Sequence, residues 1–256
     1  MKKIITAFFL CLLSISNAQE VNDWQVGFNV NPFMFTRLNS NFSYERGKQN
    51  FPNGLGFGLT IEKNWNEHWG IKTGFETTKQ NEKYFFDWLN SNTTTNSNFE
   101  YYKIPFTVQF YYPIKEKLYL IFNQGIQYSN LKYFKTVIKD DYQMITYSSN
   151  YGESIFFEHP EQNNQSNGDF QDNFQKKDLF GIIGSIGFKG FLTNKISYST
   201  NLRYEYDLTD ADKIPYHYFE KNGNSNTHNF RLGLELGLQY HFSLKNYRFD
   251  KRPHKL

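Results

Sequence analysis

The sequence predicts an all-β fold, an eight-stranded antiparallel up-and-down transmembrane β-barrel with short turns at one end and long loops at the other. Three observations predict it. Strict two-residue alternation of large apolar and polar or small residues recurs in eight separate runs. The connections between the runs alternate between long and short. Aromatic residues make up 20% of a chain whose mean hydropathy is only −0.68. Greasy surface is therefore abundant, yet no segment beyond the N-terminus is apolar enough for a membrane helix. A barrel strand reconciles the two, because only every second residue has to meet lipid.

The N-terminus reads as an export signal. Lys2 and Lys3 precede a largely apolar stretch from Ile4 to Ile15, and Ser16-Asn17-Ala18 places small residues ahead of Gln19. This predicts a secretory signal peptide over 1–18, because the apolar stretch is too short to cross a bilayer. The rest divides into a barrel over 19–242 and a basic periplasmic tail over 243–256. Cys11 is the one cysteine and follows Phe8-Phe9-Leu10, where lipid attachment would want small residues. The mature chain then has no thiol for a disulfide or a metal. Without Lys2 and Lys3, 26 of the 28 basic residues stand against 25 acidic ones, too even a balance to recruit nucleic acid.

The runs follow in order. Trp24, Val26, Phe28 and Val30 alternate with Gln25, Gly27, Asn29 and Asn31. Leu55, Phe57, Leu59 and Ile61 alternate with Gly56, Gly58, Thr60 and Glu62. The third run has Trp69, Ile71 and Phe75 against Lys72 and Glu76. In the fourth, Tyr102, Ile104, Phe106, Val108 and Phe110 face away from Lys103, Pro105, Thr107 and Gln109. Leu118, Leu120, Phe122, Ile126 and Tyr128 form the fifth, and Phe180, Ile182, Ile186 and Phe188 the sixth. The seventh carries Ile196, Tyr198, Leu202, Tyr204 and Tyr206. The eighth is the unbroken "FRLGLELGLQYHF" from Phe230 to Phe242. Period-two alternation marks a strand with two unlike faces, and an even number of strands suits a closed barrel.

Long polar connections are expected around 37–53, 79–99, 135–178 and 209–228, and tight ones around 64–68, 113–117 and 193–195. In outer-membrane barrels the short turns face the periplasm and the long loops face outward, so both termini fall on the periplasmic side. Within the third long connection "MITYSS" and "SIFFEH" are weakly β-like, whereas "EQNNQSNGDFQDN" has too little apolar surface to fold alone.

Alternation by itself does not say which face is outside, since a soluble lipocalin-like barrel turns its greasy face inward. Three features point to lipid. The apolar face is crowded with Phe, Tyr, Trp and Leu, more than a narrow lumen accommodates. The other face mixes glycines with Lys72, Glu76, Lys103, Lys189, Arg203, Glu205, Arg231 and Glu235, near-balanced charges that can pair when buried. Aromatics also gather near strand ends, at Trp24, Trp69, Tyr111, Tyr112, Tyr204, Tyr206, Tyr240 and Phe242, as interfacial rings do. An integral outer-membrane location follows.

The last strand carries a second reading. Glu235, Gly237, Tyr240 and Phe242 form a polar–glycine–aromatic–aromatic pattern suited to recognition by the barrel-assembly machinery, which can add such an edge to its own by strand pairing. Ser243 to Leu256 follow it with Lys245, Arg248, Lys251, Arg252 and Lys255, a tail best read as solvated.

The mature chain resembles the small outer-membrane β-barrel family widespread in Bacteroidota, which includes PorT-like proteins associated with secretion. The resemblance rests on "SNAQE", on "YYKIPFTVQFYYPIKEKLYLIFNQGIQYS" from Tyr101 to Ser129, on "LRYEYDLTD" and on "LGLQYHF". It implies an eight-stranded barrel at the cell surface and no single activity.

No catalytic, cofactor or metal residue is assigned. His159, His217 and His228 fall on outer connections, with Ser154, Ser166 and Ser225 as candidate nucleophiles, but no spacing demands a nucleophile–base pair. His217 and His228 with Asp210 and Asp212 lack metal-ligand spacing. The glycines at 54, 56 and 58 lie in a strand, where they make room inside a barrel rather than cradle phosphate. The expected role is non-enzymatic: structural, binding, or accessory to secretion or envelope assembly. A lipid-modifying enzyme (acyl hydrolase or transferase) and a small-solute transporter are the alternatives. Expected partners are outer-membrane lipid and lipopolysaccharide, the assembly machinery during biogenesis, and a protein captured by the outer loops. Loop aromatics rimmed by polar residues are the contact candidates: Tyr84, Phe85, Phe86, Trp88, Phe156, Phe157, Tyr216, Tyr218 and Phe219.

Overall fold

A computed structural model describes residues 23–39, 47–50, 53–88, 91–139, 144–150, 156–158, 177–211 and 227–243, with the backbone alone at several strand ends. Eleven strands are described. Eight make the barrel: β1 (Asp23–Asn39), β3 (Asn53–Asn64), β4 (Trp69–Trp88), β5 (Ser91–Lys115), β6 (Leu118–Lys139), β9 (Asp178–Phe191), β10 (Ile196–Asp207) and β11 (Thr227–Ser243). Each pairs antiparallel with its neighbour in that order. The wall closes where β11 pairs β1, from Asp23 opposite Ser243 to Asn39 opposite Thr227.

Three tight turns and both barrel termini share one end. In the β3–β4 turn the Asn66 side chain accepts the backbone N–H groups of His68 and Trp69 at 2.8 and 2.7 Å. Thr193 Oγ1 does the same for Lys195 and Ile196, at 3.1 Å each. These short polar side chains stand in for missing backbone partners and fix the reversal. Two of the prolines within strands interrupt a ladder, each with its donor-less side toward one neighbour. The β1–β11 ladder has no pair at Asn31 and Pro32, although Pro32 still pairs with Leu55 on the other side. At Pro105 the β4–β5 ladder is likewise interrupted, and Thr73 Oγ1 donates to the Pro105 carbonyl at 2.9 Å.

At the opposite end the strands outrun the barrel. β4, β5 and β6 have 20, 25 and 22 residues, against 12 for β3 and β10. Beyond the wall they carry β2 (Gly47–Asn50) beside β4, then β7 (Met144–Asn150) and β8 (Phe156–Glu158) beyond β6. This corrects the expected polar connection over 79–99: β4 continues to Trp88 and β5 resumes at Ser91. It also places strands inside the expected connections at 37–53 and 135–178. The reason is composition. Polar residues occupy both parities there, with Ser97 buried between the outward Asn96 and Asn98, so "NTTTNSNF" looks like a loop in sequence.

The barrel is inside-out relative to a soluble protein. Leu59 is 67% exposed and Ile126 63%, while Lys103 and Glu76 have no exposed surface. Outward rings and aliphatic side chains extend over every barrel strand, among them Phe28, Phe57, Phe75, Phe106, Phe122, Phe188, Leu202 and Leu236. One assignment changes. Tyr111 is not an interfacial ring: it is buried, bonds Gln109 Oε1 at 2.9 Å, and lies 5.5 Å from Lys189 Nζ, whereas its neighbour Tyr112 faces outward.

Candidate functional site

The eight charged residues assigned to the interior all lie there, and every one is buried. Their parity on β4, β5, β9, β10 and β11 projects them to the axis, and the narrow lumen makes them meet. Arg203 is the hub. Its guanidinium contacts Glu76 through both nitrogens, at 2.8 and 2.7 Å, Glu235 at 2.9 Å and Glu205 at 2.7 Å. Toward the turn end, Lys72 bonds Glu235 at 2.7 Å and lies 4.0 Å from Glu62. Lys189 continues the chain to Glu62 at 2.7 Å and to Gln25. Toward the loop end, Lys103 bonds Glu205 at 2.6 Å, and Arg231 reaches Glu205, Asp207 and Gln80 at 3.4, 3.2 and 2.9 Å. Arg37 and Glu82 follow at 3.9 Å.

Charge alternates along this chain. Among the described residues Arg37, Lys72, Lys103, Lys189, Arg203 and Arg231 stand against Glu62, Glu76, Glu82, Glu205, Asp207 and Glu235. A buried charge is tolerated only when paired and hydrogen-bonded, and here each carboxylate that bonds Arg203 also takes a second donor: Asn29 for Glu76, Asn201 for Glu235 and Gln127 for Glu205. Gly58 makes room for this packing, since a Cβ there would collide with Asn29 Oδ1 and lie 2.6 Å from Glu76 Cγ.

Sequence reading missed the network's second half. Glu62 and Asp207 belong to it, their signal being inward parity on strands already identified, and Arg37 with Glu82 forms a further interior pair toward the loops. It also missed an apolar plug in the loop half of the lumen, made by Phe99, Tyr101, Leu131, Phe134, Leu179 and Ala211, with Phe33 and Phe35 beside it. Cations cap these rings: Lys103 over Phe33 at 5.6 Å, Arg231 over Phe35 and Tyr101 at 5.6 and 5.4 Å, and Arg37 over Phe99 at 5.5 Å. The available signal was apolar residues on both parities, as in Phe33-Met34-Phe35.

Of the proposed assembly signal, Glu235 is inside the network, Gly237 faces Ser199 and Gln239, and Tyr240 is exposed on the outer surface. Phe242 pairs with Trp24 through its backbone, and its side chain lies outside the described residues. Tyr84, Phe85, Phe86 and Trp88 occupy the far end of β4, and Phe156 and Phe157 lie in β8, again with the backbone alone described. Tyr216, Tyr218 and Phe219 lie outside the described residues, as do residues 1–22, the tail beyond Ser243, His159, His217, Ser154, Ser166 and Ser225. Asp212 lies outside them too. His228 Nδ1 is 3.0 Å from the Asp207 carbonyl. Sequence reading did not foresee a serine–histidine contact at the turn end, where His241 Nε2 lies 2.7 Å from Ser197 Oγ. Ser197 has no exposed surface, and its hydroxyl also bonds Gln239 at 3.2 Å.

A closed eight-stranded wall with a greasy exterior and an ionic interior is now in place, and the sequence matches a family with that architecture. Residues 5–242 match the model of the outer membrane protein beta-barrel domain. The chain belongs to this family. It is an outer-membrane β-barrel. Among solved structures it is similar to the outer membrane protein OprG from Pseudomonas aeruginosa, at 13% identity and a TM-score of 0.46, over 88% of this chain and 98% of that one. It is also similar to the outer membrane protease OmpT from Escherichia coli, at 10% identity and 0.46, over 89% and 100%. A third is the outer membrane protein AlkL in lipid bilayers, at 14% and 0.42, over 90% and 95%. These are likenesses of fold alone. No curated protein matches the chain in sequence.

Proposed function

We propose that the protein is a non-conducting, non-enzymatic barrel that anchors a binding platform on the outer face of the outer membrane. The observation that carries this reading is the contrast between its two halves. The lumen is occupied by paired charges and an apolar plug, while β4, β5 and β6 run well past the roughly 9–11 residues a strand needs to cross the membrane. Strand that neither spans lipid nor lines a pore is free to present a surface. A signal peptide over 1–18 exports the chain, the short turns face the periplasm with the tail over 243–256, and the loops face outward.

The platform captures a protein partner through the loop aromatics, in a structural role or as an accessory to secretion or envelope assembly. The resemblance to PorT-like barrels of Bacteroidota favours secretion among these. Lipopolysaccharide surrounds the outer half, and the barrel-assembly machinery reads the last strand through Glu235, Gly237, Tyr240 and Phe242. Against an acyl hydrolase or transferase, the serine–histidine contact among the described residues, Ser197 with His241, is buried. Solute transport is disfavoured by the filled lumen.

Two measurements test the reading. Purified protein in planar bilayers should show no steady conductance, and open channels would refute the plugged lumen. Deleting residues 153–175 should leave the barrel heat-modifiable on a gel but abolish partner capture in pull-downs. Wild-type co-purification by the deletion variant would remove the loops from the proposal.

A further inference from the structure

The outward face of the wall changes character between two adjacent rows of the sheet. Pro32, Leu55, Lys79, Glu100 and Tyr133 are paired in succession across five strands. One row toward the loops, Asn98 pairs with Asn81 on one side and Lys135 on the other. On the turn side of these rows the outward residues are apolar, among them Phe57, Phe75 and Ile104. On the loop side β4 and β5 turn Asn81, Asn96 and Asn98 outward and β6 turns Lys135 outward, while β1 keeps the exposed Met34 and Leu38. Asn81 Nδ2 donates to Asn96 Oδ1 at 2.9 Å and Asn98 Oδ1 at 2.6 Å, forming a ladder of amides across two strands.

The charge on this face is one-sided. Lys79, with its side chain 74% exposed, bonds Glu100 at 2.7 Å, and Lys132 lies 3.6 Å from the same carboxylate and 5.3 Å above the Tyr102 ring. Lys135 has no acidic partner among the described residues. Lys79 and Lys132 thus meet at one carboxylate, and Lys135 stands one row beyond them, paired through its backbone with Asn98. Asp178, an acid on the neighbouring β9, is held by Tyr128 Oη at 2.5 Å and Asn130 Nδ2 at 2.8 Å. Lys79, Asn98 and Lys135 also line an open depression of about 950 Å3 whose other walls include the exposed Met34, Leu55 and Leu234.

Aliphatic walls beside ammonium groups and an amide ladder match a molecule that joins acyl chains, phosphate and sugar. We propose that this face is a binding site for a phosphate-bearing glycolipid of the outer leaflet. Its phosphate is held by Lys79, Lys132 and Lys135 through charge-assisted hydrogen bonds. Its sugar hydroxyls meet Asn81, Asn96 and Asn98, and its chains lie along Met34, Leu55 and Leu234. The site rests on the outward orientation of the loops and deepens the lipid contact proposed above by naming its chemistry and its residues.

The test uses the full barrel in detergent, titrated with bis-phosphorylated lipid A and with the same lipid enzymatically dephosphorylated, and followed by native mass spectrometry. The phosphorylated form should bind about tenfold more tightly, the difference two charge-assisted bonds supply. The Lys79→Gln/Lys135→Gln variant should lose that preference, keep its affinity for the dephosphorylated form, and remain heat-modifiable. Equal binding of both lipids by the wild type, or an unchanged preference in the variant, overturns the site. Protease added to intact cells separates the two proposals. Loops sheltered from cleavage overturn the orientation on which the site rests, whereas cleaved loops with no phosphate preference overturn the glycolipid site alone.

Discussion

Arg203 shows what one residue contributes to this barrel. It bridges Glu76, Glu205 and Glu235, so replacing it leaves three buried carboxylates short of a cation. Arg203→Met should destabilise the barrel by about 3–5 kcal/mol, the usual cost of breaking a buried pair from one side, measured by urea unfolding in micelles. A loss under about 1 kcal/mol would mean that the hub is not structural. Gly237 invites a different experiment, because two roles compete for it. A Cβ there would lie 2.5 Å from both Ser199 Oγ and Gln239 Nε2. If packing is its role, Gly237→Ala should lower heat resistance and Ser199→Gly should restore part of it. If recognition during assembly is its role, the second change should rescue nothing.

At the scale of the strand, β11 both closes the wall against β1 and carries the terminal pattern. Tyr240→Ala with Phe242→Ala should reduce the amount of barrel in the membrane and raise its degradation in the periplasm, read by fractionation and immunoblotting. Normal membrane levels would remove the assembly signal and leave only a strand. The barrel strands were legible from their alternation because lipid on one side and charge on the other enforce it residue by residue. The extensions of β4 and β5 were not legible, since polar residues on both parities, as in "NTTTNSN", remove the contrast that makes a strand visible. Even so, "MITYSS" and "SIFFEH" coincide with β7 and β8.

For the whole molecule, filling the lumen and extending the sheet have separate consequences. The interior network runs from Gln25 and Lys189 through Glu62, Lys72, Glu235, Arg203 and Glu205 to Arg231 and Asp207, and its loop half is closed by apolar rings. Removing a charge within it should loosen the fold before it opens a channel. Arg203→Met should therefore stay silent in the bilayer measurement under conditions where it remains folded, and a steady conductance would show that the network alone closes the pore. At the loop end β2 continues along β4 past β3, β7 continues along β6 past β9, and β8 pairs with β7. Substitutions there should alter partner capture without changing stability in detergent.

Alternation, composition and connection lengths were enough to determine the number of barrel strands, the greasy face and the charged one. Each is enforced locally, by whether a side chain meets hydrocarbon or the axis. Which charges meet was settled only by the closed wall. Arg203 and Glu76 are 127 residues apart, as are Lys189 and Glu62. Register between strands follows from their mutual pairing and closure, not from any one strand's pattern. The apolar plug and the cationic outer face arise the same way, from rows assembled across strands whose individual sequences look unremarkable.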